Sequence, residues 1–419
     1  MSKYRISKVL LLLFPIALGI SETPVLAQAP PRAIVMAWDG AVPAFVREML
    51  SDGKLPHLAK LIAGGAFADD VLPVFPSKTA PGFASLWSGA NPRTTGISGN
   101  RQPRTPDHEH TILESQFSFL SAPLRAEPLW AVALRTGRRT VLANVPLGRE
   151  LSDGAVKLLG YDGYGGRDGV VNGHTAGLRP ARSWKSLPTS AKPPMESQFT
   201  IGASVFFGLL IDDPADTQVG YDTLVVTGSR DAADVKAKLK AGYADLKRSL
   251  WSEPVEIKTS GGEIADVYLR LFDLKSDAAD FLLYHTRPAR DMIFPSELAA
   301  DHKRAAGSFI GNGASFLFQQ GALGQTIAAG GNGDAEARYL ETVAMAQRQL
   351  KQSAIWTMGA VPWDLLFLYT PYPDEGEHLW RGYIEAAPNS DSKLAAAARL
   401  SLEEIYKSSD DFLGAVLAA

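Results

Sequence analysis

The sequence predicts an α/β protein whose mostly parallel sheet is flanked by helices and interrupted by an inserted, partly antiparallel α+β cap. Two observations lead to this prediction. Near both ends of the chain, short apolar runs typical of buried strands alternate with segments of helical spacing. The middle of the chain is instead rich in Gly, Pro and β-branched residues. A length of 419 residues leaves room for both parts.

The elements of the parallel sheet follow from apolar runs and their spacing. The first strand is the continuous apolar run Ala33–Trp38, a pattern that parallel strands show because both of their faces are buried. Further strands are predicted over 67–71, 140–144 and 365–369. Helices are predicted over 42–50, 56–62, 81–88, 128–135, 335–352 and 394–417, and the β-rich runs of the cap lie at 219–227, 255–258 and 264–272.

These elements divide the chain into four parts. We expect a signal peptide at 1–27, the N-terminal part of the catalytic domain at 28–150, the cap at 151–334 and a return to the catalytic domain at 335–419. The leader has basic residues at Lys3, Arg5 and Lys8, then an apolar run too short to span a bilayer, and cleavage is expected after Ala27. The sequence therefore predicts a periplasmic or secreted protein with no membrane anchor after cleavage.

Composition excludes several classes of function. The net charge is −3 and becomes −5 after the predicted cleavage, so nothing indicates binding to a nucleic-acid polymer. The absence of Cys excludes disulfides, thiolate catalysis and Cys-ligated zinc. A metal site would have to be built from carboxylates and from the seven His residues.

Candidate functional residues follow the predicted strand ends, where α/β sheets place their sites. Asp39 follows the first strand, and Asp374 and His378 follow the strand at 365–369 in a Pro-rich loop. Thr79 lies at a predicted helix N-terminus, where free N–H groups favour an alkoxide and a phosphoryl group. Each residue has a structural alternative: Asp39 as a turn residue, Thr79 as an N-cap, and Asp374 with His378 as surface polar groups.

Taken together, several motifs resemble the type I phosphodiesterase/nucleotide pyrophosphatase family of the alkaline phosphatase superfamily. They are Asp39-Gly40, the segments 75–79, 88–92 and 96–100, Glu-Pro-Leu-Trp at 127–130, and Pro-Asp-Glu-Gly-Glu-His at 373–378. Glu377 stands where the family has Gly, and Thr95 where it has His. The resemblance implies an alkaline-phosphatase-like fold and metal-dependent hydrolysis of a small-molecule phosphodiester or pyrophosphate.

The resemblance also implies a role for each matching residue. Thr79 would be the nucleophile that forms a phosphothreonine, with Ser77 as the rival hydroxyl. Asp39 and Thr79 would bind one Zn²⁺, and Asp374 and His378 the other. Asn100 would hold a phosphate oxygen, although a turn role is the alternative for it, and Lys78 would flank the site.

The sequence departs from the family after His378. The family completes its two metal positions with an Asp-His-Gly-Met motif and a later His, and neither follows here. We therefore expect a chain that is C-terminally truncated relative to the family. A non-catalytic periplasmic pseudoenzyme that retains half of the bimetal site is the alternative function. Other candidate ligands, Asp107-His108-Glu109-His110 and Asp301-His302, are expected to be a solvated loop and part of a cap helix.

Overall fold

The computed structural model describes residues 31–119, 124–148, 152–159, 167–215, 217–242, 250–289, 293–385 and 392–419. The expected signal peptide at 1–27 lies outside these residues. So do residues 149–151, which contain the expected boundary between the N-terminal part of the catalytic domain and the cap. The domain boundaries therefore stay predictions.

The elements alternate between strands and helices in the N-terminal and C-terminal parts and are mostly strands in between. The strands are β1 Ala33–Trp38, β2 Arg101–Pro103, β3 Ser115–Phe117, β4 Thr140–Ala143, β5 Val156–Leu158, β6 Gly169–Asn172, β7 Arg179–Pro180, β8 Met195–Ile201, β9 Ser204–Ile211, β10 Thr223–Thr227, β11 Val235–Lys240, β12 Val255–Lys258, β13 Ile264–Val267, β14 Leu269–Leu274, β15 Phe281–His285 and β16 Leu365–Thr370. The helices are α1 Pro43–Ser51, α2 Pro56–Gly64, α3 Thr79–Ser88, α4 Pro92–Thr95, α5 Leu129–Arg135, α6 Gly173–Ala176, α7 Ala299–Ala306, α8 Ser315–Gln319, α9 Asp334–Ala360, α10 Asp374–Ile384 and α11 Ser392–Ala418.

The central sheet is parallel and confirms the predicted fold class. Its strand order is β1-β16-β4-β5, and β1 pairs with β16 in parallel from Ala33 opposite Leu365 to Trp38 opposite Thr370. Side chains of β16 alternate between two cores: Leu366 and Leu368 pack on one face, and Phe367 and Tyr369 on the other. Because both faces are buried, the run is continuously apolar in sequence.

Helices cover both faces of this sheet. The face with Leu366 and Leu368 packs against apolar side chains of α1, α9, α10 and α11. The opposite face packs against α3 and α5 through Phe83, Trp87 and Trp130. Trp87 and Trp130 each meet the ring of Phe367 edge-on, with 5.6 Å between ring centroids. These rings fix α3 and α5 on the sheet.

Antiparallel sheets occupy the middle of the chain, as predicted. One has the order β11-β10-β9-β8-β7, another is the β12-β13 hairpin, and a third has the order β14-β15-β6. The apolar run at 264–272 forms two strands, β13 and β14, rather than one. Tyr268, Phe272 and Tyr284 of this part belong to the same core as β16 and α9. The antiparallel part is therefore packed directly onto the parallel sheet.

The strand predicted over 67–71 is wrong. These residues form irregular backbone, and Val71 and Leu72 are 79% and 94% exposed. A short apolar run has the composition of a strand, but no strand of the described sheets lies beside it to accept its hydrogen bonds. The chain instead runs over the surface into α3, which begins at Thr79, two residues before the predicted start.

Candidate active site

The candidate site lies at the carboxyl ends of β1 and β16. Because these strands pair in parallel, their ends meet at one edge of the sheet, and the backbone N–H of Asp374 donates to the carbonyl of Asp39 at 2.8 Å. Gly40 lies between them with φ +67°, and a Cβ atom there would come within 2.6 Å of Asp374. Only glycine permits this approach of the two segments.

Asp39 is buried on the α3 side of the sheet. It lies two positions after Ala37, which packs on that face, and its Oδ2 accepts a 2.7 Å hydrogen bond from the hydroxyl of Tyr369. Burial, followed by the charge of Asp374, raises the pKa of Asp39 to about 7, although the hydrogen bond from Tyr369 acts in the opposite direction. Asp39 thus lies in a turn after β1, and its ionised form is destabilised by burial and by the neighbouring carboxylate.

Asp374 and His378 lie on α10, not in a loop as predicted. Asp374 is the first residue of this helix, and His378 follows one turn later, with its Nε2 3.2 Å from Asp374 Oδ2. Burial raises the pKa of Asp374, and the neighbouring His378 partly offsets that rise. The His378 side chain is 74% exposed, so its ring faces solvent at this edge.

Thr79 is the first residue of α3, and the capping position before it is Lys78. The expected alternative, Thr79 as N-cap, therefore does not describe this helix. The capping oxygen comes from Asn100, whose Oδ1 accepts from the backbone N–H of Ala80 at 2.9 Å. This bond leaves the Asn100 amide N–H₂ pointing away from Ala80, with no hydrogen bond to the described residues. Asn100 is thereby held beside Thr79.

Phe83 and Tyr369 connect helix α3, which begins at Thr79, to Asp39. Phe83 lies one helical turn after Thr79 on the same face of α3. Its ring packs edge-on against the ring of Tyr369, with 5.1 Å between centroids, and Tyr369 in turn donates to Asp39. The sequence-predicted residues at the two strand ends and at the α3 N-terminus thus belong to one region of the molecule.

Sequence reasoning missed the residues that support this region. Tyr369 is the last aromatic residue of an apolar strand, and only its position at the strand end hints at a contact with Asp39. Glu377, which departs from the family motif, accepts a 2.6 Å hydrogen bond from Tyr406, and the Tyr406 hydroxyl accepts from Val42 N–H at 3.0 Å. These bonds fasten α10 and α11 to the segment that follows Asp39.

The donor chemistry of the site fits a divalent cation. Asp39 and Asp374 are adjacent carboxylates with raised pKa values, and neither forms an ion pair with a Lys or Arg of the described residues. A bound cation would relieve this uncompensated charge. Nevertheless, no group of three or more His, Cys, Asp or Glu side chains in the described part of the chain is arranged to hold a metal ion.

The other candidate ligands lie elsewhere. His302 of α7 is buried, with its Nε2 2.7 Å from the Ser353 hydroxyl, and its ring meets Trp356 edge-on. His110 lies 2.9 Å from Glu114 on an exposed segment that includes a short 3₁₀ helix. Neither pair contacts Asp39 or Asp374.

The fold and the strand-end site define an alkaline-phosphatase-like α/β protein. Residues 33–186 match the family model described as type I phosphodiesterase / nucleotide pyrophosphatase, so this part of the chain is similar to that family. The description of that family names phosphodiesterases and nucleotide pyrophosphatases. The matched range contains Asp39, Lys78, Thr79 and Asn100.

One curated relative is the human (Homo sapiens) ectonucleotide pyrophosphatase/phosphodiesterase family member 1. It is 30% identical over 88 residues, which cover 21% of this chain. The aligned segment spans 10% of the relative's own length, so the two proteins share only a small part. No helix in the described residues is long and apolar enough to cross a membrane.

Proposed function

We propose that this chain hydrolyses a small-molecule phosphodiester or pyrophosphate through a phosphothreonine formed at Thr79. The observation that carries the proposal is the packing of α3 through Phe83 onto Tyr369, which in turn donates to Asp39. It joins a hydroxyl at a helix N-terminus to carboxylates at two strand ends. That combination is what phosphoryl transfer requires, since the reaction depends mainly on positioning and charge neutralisation.

The N-terminus of α3 supplies the groups that would bind the phosphate. In the first turn of α3 the Ala80 N–H donates to Asn100, Pro81 has no N–H and the Gly82 N–H donates to the Lys78 carbonyl. The Thr79 N–H, which has no hydrogen bond to the described residues, and the helix dipole are therefore what would favour an anion at this point. The Asn100 side chain, whose oxygen accepts from the Ala80 N–H, would donate from its amide nitrogen to a non-bridging phosphate oxygen. The exposed Lys78 flanks the same helix end and adds a positive charge.

Zinc is the proposed cofactor, with Asp39 and Thr79 at one position and Asp374 and His378 at the other. When bound, the metal would lower the pKa of the threonine hydroxyl and neutralise negative charge on the phosphate. Fewer protein ligands are available than two zinc ions normally use. Water or substrate oxygens would therefore complete the coordination, and other divalent metals remain candidates for the same donors.

The reaction has two steps: the phosphoryl group is first transferred to Thr79, and the resulting ester is then hydrolysed. Thr79 Oγ1 loses its proton and forms a bond to phosphorus, while the bond to the leaving oxygen breaks and that oxygen takes up a proton. The Asn100 amide and the Thr79 N–H would hold the charged phosphoryl oxygens throughout. A water molecule then attacks the phosphothreonine, which releases the phosphoryl product and restores the hydroxyl.

Hydrolysis of bis-p-nitrophenyl phosphate in the presence of Zn²⁺ tests this proposal. We expect Thr79→Ala to abolish turnover while it keeps the circular dichroism spectrum and melting temperature of the parent protein. Ser77→Ala, which removes the rival hydroxyl two residues earlier, is the matched control and should retain activity. Near-parental turnover by Thr79→Ala, or no phosphorylated Thr79 peptide after acid quench, would refute the nucleophile assignment.

A binding role without catalysis is the second candidate. It is favoured by one observation, that no three-ligand metal group is found among the described residues. A chain of this kind would bind phosphate at the α3 N-terminus but hold clearly less than two zinc ions per molecule and turn over no phosphodiester. Metal analysis of the purified protein, combined with the activity assay, separates the two functions.

The proposed location is the periplasm or the medium, reached by means of the signal peptide at 1–27. Intact-mass measurement of the protein recovered from the periplasmic fraction should show a chain that begins at Gln28. A retained Met1 would overturn the assignment of a cleaved leader.

A further inference from the structure

A cavity of about 370 Å³ lies beside the N-terminal end of α3. Its wall includes Ser98 and Gln102, which lie two residues before and two residues after Asn100. Two residues span at most about 7 Å of extended chain, so both lie close to the side chain that accepts from the Ala80 N–H. The cavity volume is within the lower range of small-molecule pockets. The cavity is therefore next to the proposed position of the phosphate.

Shared packing holds this wall against α3. Ile97 and Leu124 are buried in one small core together with Ala80 of the first turn of α3. Each of these two residues is the immediate neighbour of a residue that lines the cavity. The wall is therefore anchored to the helical turn that begins at Thr79.

The charged side chains that line the cavity are all basic. They are Arg104, Arg125 and His110, and no carboxylate of the described residues joins them. Neither arginine forms an ion pair with a carboxylate that the structure describes. Carboxylates of the same stretch of chain pair with other cations instead, in the ion pairs Glu109–His108, Glu114–His110 and Glu127–Arg135. The two guanidinium groups therefore carry positive charge that these carboxylates do not balance.

Arg125 is positioned by a glycine in the wall. Its backbone N–H donates to the carbonyl of Thr95 at 2.9 Å, and its side chain lies across Gly96. A Cβ atom at Gly96 would come within 2.9 Å of Arg125 Cδ and within 3.0 Å of Nε, and Gly96 has a φ of +76°. A larger residue there would have to displace Arg125, so glycine is what allows the guanidinium group to lie along the wall.

We infer that this cavity binds a second anionic group, a phosphomonoester, carried by the alcohol moiety of the phosphodiester substrate. The inference rests on the proposed function for the position of the reacting phosphate at Thr79. Two guanidinium groups match the charge of a phosphomonoester dianion, and each can donate two N–H groups to its oxygens. The apolar side chains of Pro103 and Ile112 line the same cavity and would contact the carbons next to that phosphate. The substrate class is therefore a phosphodiester whose alcohol ends in a second phosphate.

Binding measured without turnover tests the cavity itself. Isothermal titration of the full chain would compare butanediol bisphosphate, with a phosphate at each end, with butyl phosphate, which lacks the second phosphate. We expect the bisphosphate to bind about tenfold more tightly, because charge-assisted hydrogen bonds to arginine are strong. Arg104→Gln and Arg125→Gln should each reduce that preference, and their combination should abolish it. Arg93→Gln, which removes an exposed arginine of α4 outside the cavity wall, is the control with the same change of charge and should keep the preference.

Three results would overturn the anion site. They are equal binding of the two ligands by the parent chain, a preference that persists in the double variant, and an equal loss of preference in Arg93→Gln, which would mean that only the general charge of this surface matters. Both cavity arginines are exposed, so we expect their variants to fold, and thermal unfolding checks this. If Arg125→Gln does not fold, Arg104→Gln alone should still lower the preference several-fold.

Turnover then separates this inference from the proposed function. The p-nitrophenyl ester of butyl phosphate and the mono-p-nitrophenyl ester of butanediol bisphosphate form a matched pair of substrates. A preference of about tenfold in kcat/KM for the bisphosphate ester, reduced by Arg104→Gln, supports both conclusions. Preferential binding of butanediol bisphosphate without hydrolysis of either ester leaves the anion site standing and refutes the proposed function. Hydrolysis of both esters with equal kcat/KM does the reverse, because the cavity then contributes nothing to recognition of the substrate.

Discussion

Removal of the Tyr369 hydroxyl should weaken metal binding without disturbing the core. In Tyr369→Phe the ring keeps its edge-on contact with Phe83, but Asp39 loses a 2.7 Å hydrogen bond in a site with little access to water. A hydrogen bond to a charged group contributes about 1.5–3 kcal/mol. Loss of a bond that orients a metal ligand typically costs about 10–100-fold in affinity. We therefore expect the Zn²⁺ dissociation constant to rise by about that factor.

Competition with a chromogenic chelator measures this effect. The titration is best done at about pH 8, above the raised pKa of Asp39 in the parent protein. Because the Tyr369 hydrogen bond lowers that pKa, its loss raises the pKa of Asp39 further, and competition of the proton with Zn²⁺ forms part of the expected loss of affinity. Tyr221→Phe is a matched control, since its hydroxyl donates to a backbone carbonyl in the antiparallel part of the chain, far from Asp39 in the fold. Zinc affinity within twofold of the parent value in Tyr369→Phe would refute the view that Asp39 is a metal ligand positioned by Tyr369.

Three other predictions concern stability and local geometry. In urea unfolding, Gly40→Ala should destabilise the fold by clearly more than Gly53→Ala. Both variants replace a glycine of nearly equal positive φ, and the strain of that conformation costs each of them about 1–2 kcal/mol. Only Gly40→Ala also forces a Cβ atom against Asp374. Asn100→Ala should lower the free energy of unfolding by about 0.5–2 kcal/mol, because α3 loses its cap. Asn100→Asp should keep that stability but lower phosphodiester turnover, because the new carboxylate repels the phosphate. An equal loss of stability in both variants would contradict the capping role. Burial lowers the pKa of His302 to about 4, so on acidification the unfolded chain takes up a proton before the folded chain does. The free energy of unfolding is therefore highest above about pH 6.5 and falls by about 3 kcal/mol as the pH drops towards 4. His302→Gln should remove this fall, as measured by the urea midpoints at each pH.

The sequence predicted the juxtaposition of Asp39 and Asp374 better than it predicted the local structure around them. Asp39 and Asp374 were expected at one edge because each follows a buried apolar run, and the parallel pairing of β1 with β16 makes those two strand ends coincide. That reasoning needs only the direction of the strands. The exact ends of the helices do not matter for it. The juxtaposition of Asp39 and Asp374 is therefore predicted correctly, although Asp374 and His378 lie on a helix and not in the predicted loop.

The errors arise where local pattern and tertiary contact disagree. The run at 67–71 has strand composition but no neighbouring strand, so it stays irregular and exposed. Proline before Asp374 suggested a loop, although proline is equally common just before or within the first turn of a helix. The hydrogen bonds of Tyr369 with Asp39 and of Tyr406 with Glu377 join residues distant in the chain, which no periodicity can reveal.

The pairing of β1 with β16 also has a consequence for biosynthesis. Asp39 and its hydrogen-bond donor Tyr369 are 330 positions apart in the chain. At roughly 5–20 residues per second, a ribosome makes the second residue about 15–70 s after the first. During that interval β1 has no β16 to pair with, and an apolar strand without a partner is prone to aggregate. The nascent N-terminal segment is therefore a natural client for chaperones that hold extended chains until synthesis is complete.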